Sequence, residues 1–249
     1  MLVAAGCAGG DGASEDGSGR TTVVAAFFPL AEAVRMVAGD DVEVIDLTPA
    51  GAEPHDLELS SDDVDTLLDA DLAIVLGGGF QPAVEDVADD RDGPTIDVLD
   101  ALDVAAEEHS HEEGDEHSHE GEDPHVWLDP HLMADIVEAV AAELDLDATD
   151  VVADLVALDE RYASTLSGCE RDVLVVNHEA FGALADAYGL RQESITGLVP
   201  GEEPDPERLD ELAALVEDEG VTTVFAEPLL PRRAAETLAR EAGVDVATL

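Results

Sequence analysis

The sequence predicts an α/β protein built from two lobes, each with a parallel sheet. Short apolar runs rich in β-branched residues alternate with amphipathic helical segments, which is the pattern of parallel strands covered by helices. This alternation is interrupted by a histidine-rich acidic stretch and two long helical segments, and then starts again. At 249 residues the chain is long enough for two lobes with cores of their own.

In the first half, the apolar run at 22–28 predicts a buried strand, and 29–38 predicts a helix that ends at Gly39. Further strands are predicted at 42–47, 72–76 and 94–99, and further helices at 60–69 and 81–88. Ser60 or Ser61 is expected to cap the helix at 60–69. Residues 48–56 form a loop between strand and helix, and this loop contains His55.

In the second half, helical spacing covers 131–144 and 151–166, and the latter helix is long enough to bridge two lobes. Strands are predicted at 173–176, 193–197, 221–226 and 244–249, and helices at 180–188, 207–219 and 231–242. We therefore expect four regions: a flexible tether at 1–20, an N-terminal lobe at 21–148, a linker helix at 149–168 and a C-terminal lobe at 169–249. Because the chain stops on a predicted strand, we expect the last lobe to be truncated.

The excess of acidic residues restricts the classes of partner that the protein can bind. The chain has 61 acidic and 10 basic residues and a formal net charge of −51, which excludes nucleic-acid binding through a basic face and docking to anionic lipid by charge. Apolar runs remain intact between the acidic residues, so we expect a folded protein with an acidic surface. Such a surface stays hydrated in concentrated salt, and this motivates the hypothesis of a salt-adapted, halophilic source.

The N-terminus indicates a compartment. Small and apolar residues precede Cys7, as at the end of a bacterial lipoprotein signal, and a Gly/Ser/Asp-rich stretch follows. This predicts an extracytoplasmic protein, periplasmic or at the cell surface, that is attached to the membrane by lipid on Cys7. The alternative is a disordered tail with an incidental cysteine. If Cys7 is lipidated, the other cysteine, Cys169, has no partner in this chain. We also expect the protein to be a monomer.

Histidines mark two kinds of metal site. An acidic loop at 107–123 has no apolar periodicity and is expected to be solvated, with His109, His111, His117 and His119 as weak zinc ligands. The alternative is an acidic linker without this role. His55, His125 and His178 lie beyond strand ends or at a domain edge, where ligands bind in open α/β sheets. Three imidazoles are a standard zinc shell, although any one histidine alone is more often structural.

Three local motifs surround these histidines: Gly-Ala-Glu-Pro-His-Asp at 51–56, Asp-Pro-His-Val-Trp-Leu-Asp-Pro at 123–130, and Asn-His-Glu-Ala-Phe-Gly at 177–182. Together with segments 197–206 and 224–228, they resemble the metal-binding solute-binding proteins of ABC importers, the ZnuA/TroA-type family. The resemblance covers nearly all of 22–249 in order. It implies two lobes joined by a rigid helix, with the metal in the cleft between them and bound by His55, His125 and His178. It also implies delivery of the metal to a membrane permease.

The resemblance leaves the metal and its fourth ligand open. A histidine at position 178 and the histidine-rich loop resemble the zinc branch, with manganese or iron as the alternative cargo. Glu53, Glu227, water or a residue beyond the C-terminus are candidates for the fourth ligand, and Glu227 is alternatively a residue that caps a turn. A zinc-dependent hydrolase with Glu179 as base is one competing class, but the sequence has no His-Glu-X-X-His motif, so we do not expect an enzyme. The other is a metal buffer or an adhesin that binds zinc without supplying an importer.

Overall fold

The computed structural model describes residues 20–102, 123–201 and 203–249. These residues contain two four-stranded sheets in which every strand pair is parallel. Helices pack against both sheets, so the predicted α/β fold with two parallel sheets is confirmed. We call the part built on the first sheet the N-terminal lobe and the part built on the second the C-terminal lobe.

The N-terminal lobe has the strand order β2-β1-β3-β4. Its strands are β1 (Thr21–Ala25), β2 (Val42–Asp46), β3 (Leu72–Val75) and β4 (Thr95–Asp97). Its helices are α1 (Phe28–Ala38), α2 (Ser61–Asp69), α3 (Pro82–Asp89), α4 (Val98–Ala101) and α5 (Pro130–Leu144). All four residues of β3 are buried, because a parallel sheet is covered on both faces.

The C-terminal lobe repeats this arrangement with the order β6-β5-β7-β8. Its strands are β5 (Val173–Val176), β6 (Arg191–Ser194), β7 (Thr223–Ala226) and β8 (Asp245–Thr248). Its helices are α7 (Gly182–Tyr188), α8 (Pro206–Asp218) and α9 (Arg233–Ala242). Its core is smaller than that of the N-terminal lobe, with Val175, Leu212, Val224 and Leu238 fully buried.

The long helix α6 (Thr149–Leu166) touches both lobes. Its N-terminal half packs on α5, and Leu155 belongs to the core of the N-terminal lobe. Near its other end, Asp159 accepts a hydrogen bond of 3.0 Å from the Tyr188 hydroxyl of α7, and the rings of Tyr162 and Tyr188 lie 5.5 Å apart. The helix therefore has the position expected of a linker, while the boundaries of the predicted domains remain a prediction.

Several element ends differ from the sequence-based expectation for local reasons. The predicted strand at 94–99 is only three residues long, because the Asp97 side chain accepts a hydrogen bond from the Asp100 N–H and starts α4. The strand predicted at 22–28 ends at Ala25, and α1 already begins at Phe28. The cap predicted at Ser60 or Ser61 is Ser60, which forms a capping box with Asp63.

Two sequence-based predictions lie outside the described residues. They are the tether with Cys7 and the histidines of the acidic loop, His109, His111, His117 and His119. Within the described residues, Cys169 is an exposed free thiol. None of the helices in this described part combines the length and the apolarity that crossing a bilayer requires.

Candidate metal centre

His55 is held in a short 3-10 turn, Pro54–Asp56, in the loop that follows β2. The Glu53 carboxylate accepts a hydrogen bond from the His55 backbone N–H at 3.2 Å. The buried Gln81 amide donates to the Pro54 carbonyl oxygen at 3.0 Å and to the Thr48 hydroxyl oxygen at 3.2 Å. The loop is therefore fixed by side chains of its own lobe, which positions the His55 ring before any metal binds.

Aromatic rings form one wall behind His55. The Phe80 ring centroid lies 4.2 Å from that of His55, and Phe80 in turn packs against Phe27 and Trp127. Burial and the neighbouring rings of His125 and His178 lower the pKa of His55 from 6.5 to about 3. His55 is therefore a neutral imidazole at physiological pH, which is the form that binds a metal.

His125 precedes a second 3-10 turn, Val126–Leu128, and is only 2% exposed. Its Nδ1 lies 2.7 Å from Oδ1 of Asp123, and its backbone N–H donates to the same oxygen at 3.0 Å. Burial raises the pKa of the Asp123 carboxyl, but hydrogen bonds from His125 and Ala183 outweigh this and hold the pKa below its usual value. The ionised carboxylate places the proton on Nδ1, so the lone pair of Nε2 is available to a metal.

His178 is the second residue after β5 and is 3% exposed. Its Nδ1 lies 2.9 Å from Oε1 of Glu227, and the Glu227 backbone N–H donates to the side-chain oxygen of Asn177 at 3.1 Å. Nε2 of His178 is buried and forms no hydrogen bond with any described residue. A buried polar atom without a partner is unfavourable, so its position indicates a binding role for this lone pair.

The three histidines converge where the two lobes meet. One nitrogen from each of His55, His125 and His178 can be chosen so that all three lie within 4.8 Å of one another. Nε2 of His55 and Nε2 of His125 are 3.4 Å apart. A tetrahedral zinc ion with Zn–N distances of about 2.0–2.1 Å places its ligand nitrogens roughly 3.3–3.4 Å apart. The donor set therefore fits Zn²⁺, and the nitrogens of His55 and His125 lie at the spacing of two zinc ligands.

The carboxylates proposed as fourth ligand occupy other positions. Glu227 lies behind His178, on its Nδ1, and therefore orients this ring. Glu53 is engaged with the His55 backbone, and burial raises the pKa of its carboxyl. Among the described residues, the cluster of mutually close ligand atoms contains the three histidines and neither carboxylate. Water and residues outside the described ranges remain the other candidates.

Sequence reasoning did not assign a role to Asp123 or Gln81. The spacing of Asp123, two residues before His125, is a signal that was available, because Asp side chains often accept a hydrogen bond from the backbone two residues on. Gln81 offers no comparable signal, because its partners in the His55 loop are 27 and 33 residues away.

Two α/β lobes with a buried three-histidine cluster at their junction define a metal-binding protein of the solute-binding class. The chain belongs to the ZnuA family, whose model, described as the periplasmic component A of a zinc-uptake complex, matches residues 23–249.

Relatives of known name agree with this assignment. The chain is 34% identical over 244 residues to the zinc-binding lipoprotein AdcA of Streptococcus pneumoniae, which covers 91% of this chain and 49% of that protein. It is 30% identical to the high-affinity zinc uptake system protein ZnuA of Bacillus subtilis, covering 100% of this chain and 84% of that protein. The chain thus spans about half the length of the AdcA proteins that it matches.

A solved structure shows the same fold. The Zn(II)-bound ZnuA-like domain of Streptococcus pneumoniae AdcA superimposes with a TM-score of 0.68 at 31% identity, covering 93% of this chain and 90% of that one. The family and these relatives are metal-binding proteins and not enzymes, so they do not support the hydrolase alternative.

Proposed function

We propose that this protein captures Zn²⁺ outside the cytoplasm with His55, His125 and His178 and delivers it to an ABC-type import permease. The observation that carries the proposal is the convergence of three buried or half-buried imidazoles from both lobes, with one nitrogen of each within 4.8 Å of the others. Membership of a family of zinc-uptake components supports the direction of transport.

The donor set favours zinc over manganese. Imidazole nitrogen suits zinc, whereas manganese prefers carboxylate, carbonyl and water oxygens. The carboxylates of Asp123 and Glu227 lie on Nδ1 of His125 and His178, where they orient these rings. Competition titration with both metals tests this choice, and tighter binding of Mn²⁺ than of Zn²⁺ would reject it.

Single substitutions test the three ligands. We expect His55→Ala, His125→Ala and His178→Ala each to weaken zinc retention in a competition assay with a chromogenic chelator. His131→Ala is the matched control, because His131 is exposed and lies outside the cluster. Undiminished zinc binding by any of the three cluster variants would refute the assignment of that ligand.

Attachment of the protein to the membrane is a further part of the proposal. The AdcA relative of Streptococcus pneumoniae is named a lipoprotein, and Cys7 has the sequence context of a lipid-modified cysteine. Cys7→Ser should move the protein from the membrane to the soluble fraction of expressing cells. Release of the unmodified protein with Cys7 intact would contradict the lipid anchor.

A further inference from the structure

The Asp123 carboxylate contacts both lobes at once. Its Oδ1 accepts hydrogen bonds from Nδ1 and the backbone N–H of His125, at 2.7 and 3.0 Å. Its Oδ2 accepts a hydrogen bond of 3.2 Å from the backbone N–H of Ala183, in the first turn of α7. One side chain of the N-terminal lobe thus connects a zinc-ligand candidate to a helix of the C-terminal lobe.

The C-terminal lobe is shaped to receive this carboxylate. Phe181, which precedes α7, makes no side-chain hydrogen bond to the first turn, so Ala183 obtains its acceptor from the other lobe. A Cβ atom added at Gly182 would overlap the Asp123 carboxylate. The helix α7 also packs against the turn Val126–Leu128, directly after His125. The acceptor for Ala183 and the space at Gly182 therefore both depend on the position of Asp123.

A purely local role for Asp123 would not need the second oxygen. Asp129 shows what such a role looks like: its Oδ1 accepts a hydrogen bond from the backbone N–H of His131 at 2.7 Å and starts α5. Asp123 forms the same kind of local bond to His125, and in addition it binds a residue 60 positions away in the other lobe.

We propose that Asp123 is a positioning residue that couples zinc binding at His125 to docking of the C-terminal lobe. The inference rests on the proposed function of the histidine cluster. Zinc on Nε2 draws electron density from the imidazole ring, so the Nδ1–H becomes a stronger donor to Asp123. The carboxylate is then held where its other oxygen binds Ala183. Since coupling is reciprocal, docking of α7 also fixes the His125 ring for the metal.

Hydrogen exchange at the Ala183 amide tests the coupling directly. The exchange rate is measured on the full chain by NMR with and without Zn²⁺, and zinc affinity is measured in parallel. In the unsubstituted protein we expect zinc to slow this exchange. Asp123→Asn keeps one acceptor oxygen for three donors, so zinc affinity should fall about 10- to 100-fold, and saturating zinc should no longer slow exchange at Ala183.

A second variant approaches the same contact from the other lobe. Gly182→Ala changes neither Asp123 nor His125 in identity, but its added methyl group takes the space of the Asp123 carboxylate, so it should also abolish the zinc effect on Ala183. Asp147→Asn and Gly168→Ala are the controls. Asp147 only caps an exposed turn at Thr149, and a Cβ at Gly168 meets ordinary contact distances; both should retain the zinc effect.

The outcomes separate the two proposals. If zinc still slows Ala183 exchange in Asp123→Asn or Gly182→Ala as in the unsubstituted protein, the coupling role is wrong. If Ala183 exchange in these variants is faster than in the unsubstituted protein by the same factor with and without zinc, Asp123 has only a structural role and the coupling role is also wrong. Should Asp123→Asn fail to fold by circular dichroism, Gly182→Ala decides. If the unsubstituted protein itself does not bind zinc, the proposed function fails instead.

Discussion

Glu227 allows a sharp test of how the histidine cluster is organised. In the structure its carboxylate lies 2.9 Å from Nδ1 of His178 and is therefore behind the ring, away from Nε2. If Glu227 orients His178 and is not a ligand, Glu227→Gln should be tolerated better than Glu227→Ala. The glutamine keeps a neutral acceptor for the Nδ1–H, whereas alanine removes the acceptor completely.

The expected magnitudes follow from the type of hydrogen bond. A hydrogen bond to a charged group contributes about 1.5–3 kcal/mol, and a neutral one about 0.5–1.5 kcal/mol. Glu227 is only 23% exposed, so solvent competes weakly for the contact. Loss of the whole interaction predicts a zinc affinity lower by about 10- to 100-fold in Glu227→Ala. Loss of the charge alone costs about 1 kcal/mol in Glu227→Gln, which lowers the zinc affinity roughly fivefold.

Isothermal titration calorimetry with a competing chelator gives both affinities, and X-ray absorption of the loaded protein gives the zinc coordination. Glu217→Gln, on the surface of α8, is the matched control for loss of one negative charge. Equal losses of 100-fold or more in Glu227→Gln and Glu227→Ala, together with loss of an oxygen ligand from the absorption spectrum, would show that Glu227 is a direct ligand and refute the orienting role.

Three further predictions concern stability. The pKa of His55 falls from 6.5 to about 3 on folding, so the unfolded chain binds more protons between these values and the metal-free protein should lose stability as pH falls below about 6.5. In urea unfolding at pH 7 and pH 5, the drop in unfolding free energy between the two pH values should be smaller in His55→Asn than in the unsubstituted protein. An equal drop in both proteins would contradict the pKa shift. Leu212→Ala, in the core of the C-terminal lobe, should cost about 2–5 kcal/mol, whereas Leu229→Ala, half exposed, should cost less than about 1 kcal/mol; similar losses on chemical denaturation would contradict the core assignment. Finally, raising KCl from about 0.1 to 1 M shortens the screening length from about 10 to 3 Å and should raise Tm, since the net charge is −51; a lower Tm in high salt would reject salt adaptation.

Elements with a strong apolar pattern were predictable from the sequence. The run Leu-Ala-Ile-Val at 72–75 forms a buried strand, as expected, because a parallel sheet covered on both faces requires continuous apolar residues. The segment 94–99 was only partly right, since Val98 and Leu99 suit a strand and a helix equally well. The Asp97 cap decides between them, and its effect depends on the hydrogen bond to Asp100 and not on apolar periodicity.

The convergence of the three histidines was also predictable, because the loops beyond parallel strands meet at one edge of each sheet. The hydrogen-bond partners of these histidines were not predictable from the sequence. Glu227 was considered as a ligand, and the structure places it on the far side of His178, 49 residues away in sequence. Asp123 received no role because its second contact, Ala183, lies in the other lobe. Long-range hydrogen bonds leave no periodic signal in a single sequence.

The combination of a highly acidic surface with an imidazole cluster has a consequence for selectivity. A net charge of −51 attracts every divalent cation, and surface carboxylates supply the oxygen ligands that Mg²⁺ and Ca²⁺ prefer. Selection for zinc must therefore come from the site itself. His125 and His178 are almost fully buried, and the carboxylates beside them face Nδ1 and leave Nε2 for the metal. A hard cation that enters this site exchanges its water oxygens for nitrogen ligands, which favours zinc over the more abundant ions. On the proposed function, the acidic surface raises the local concentration of cations, and the three imidazoles select the ion that is retained.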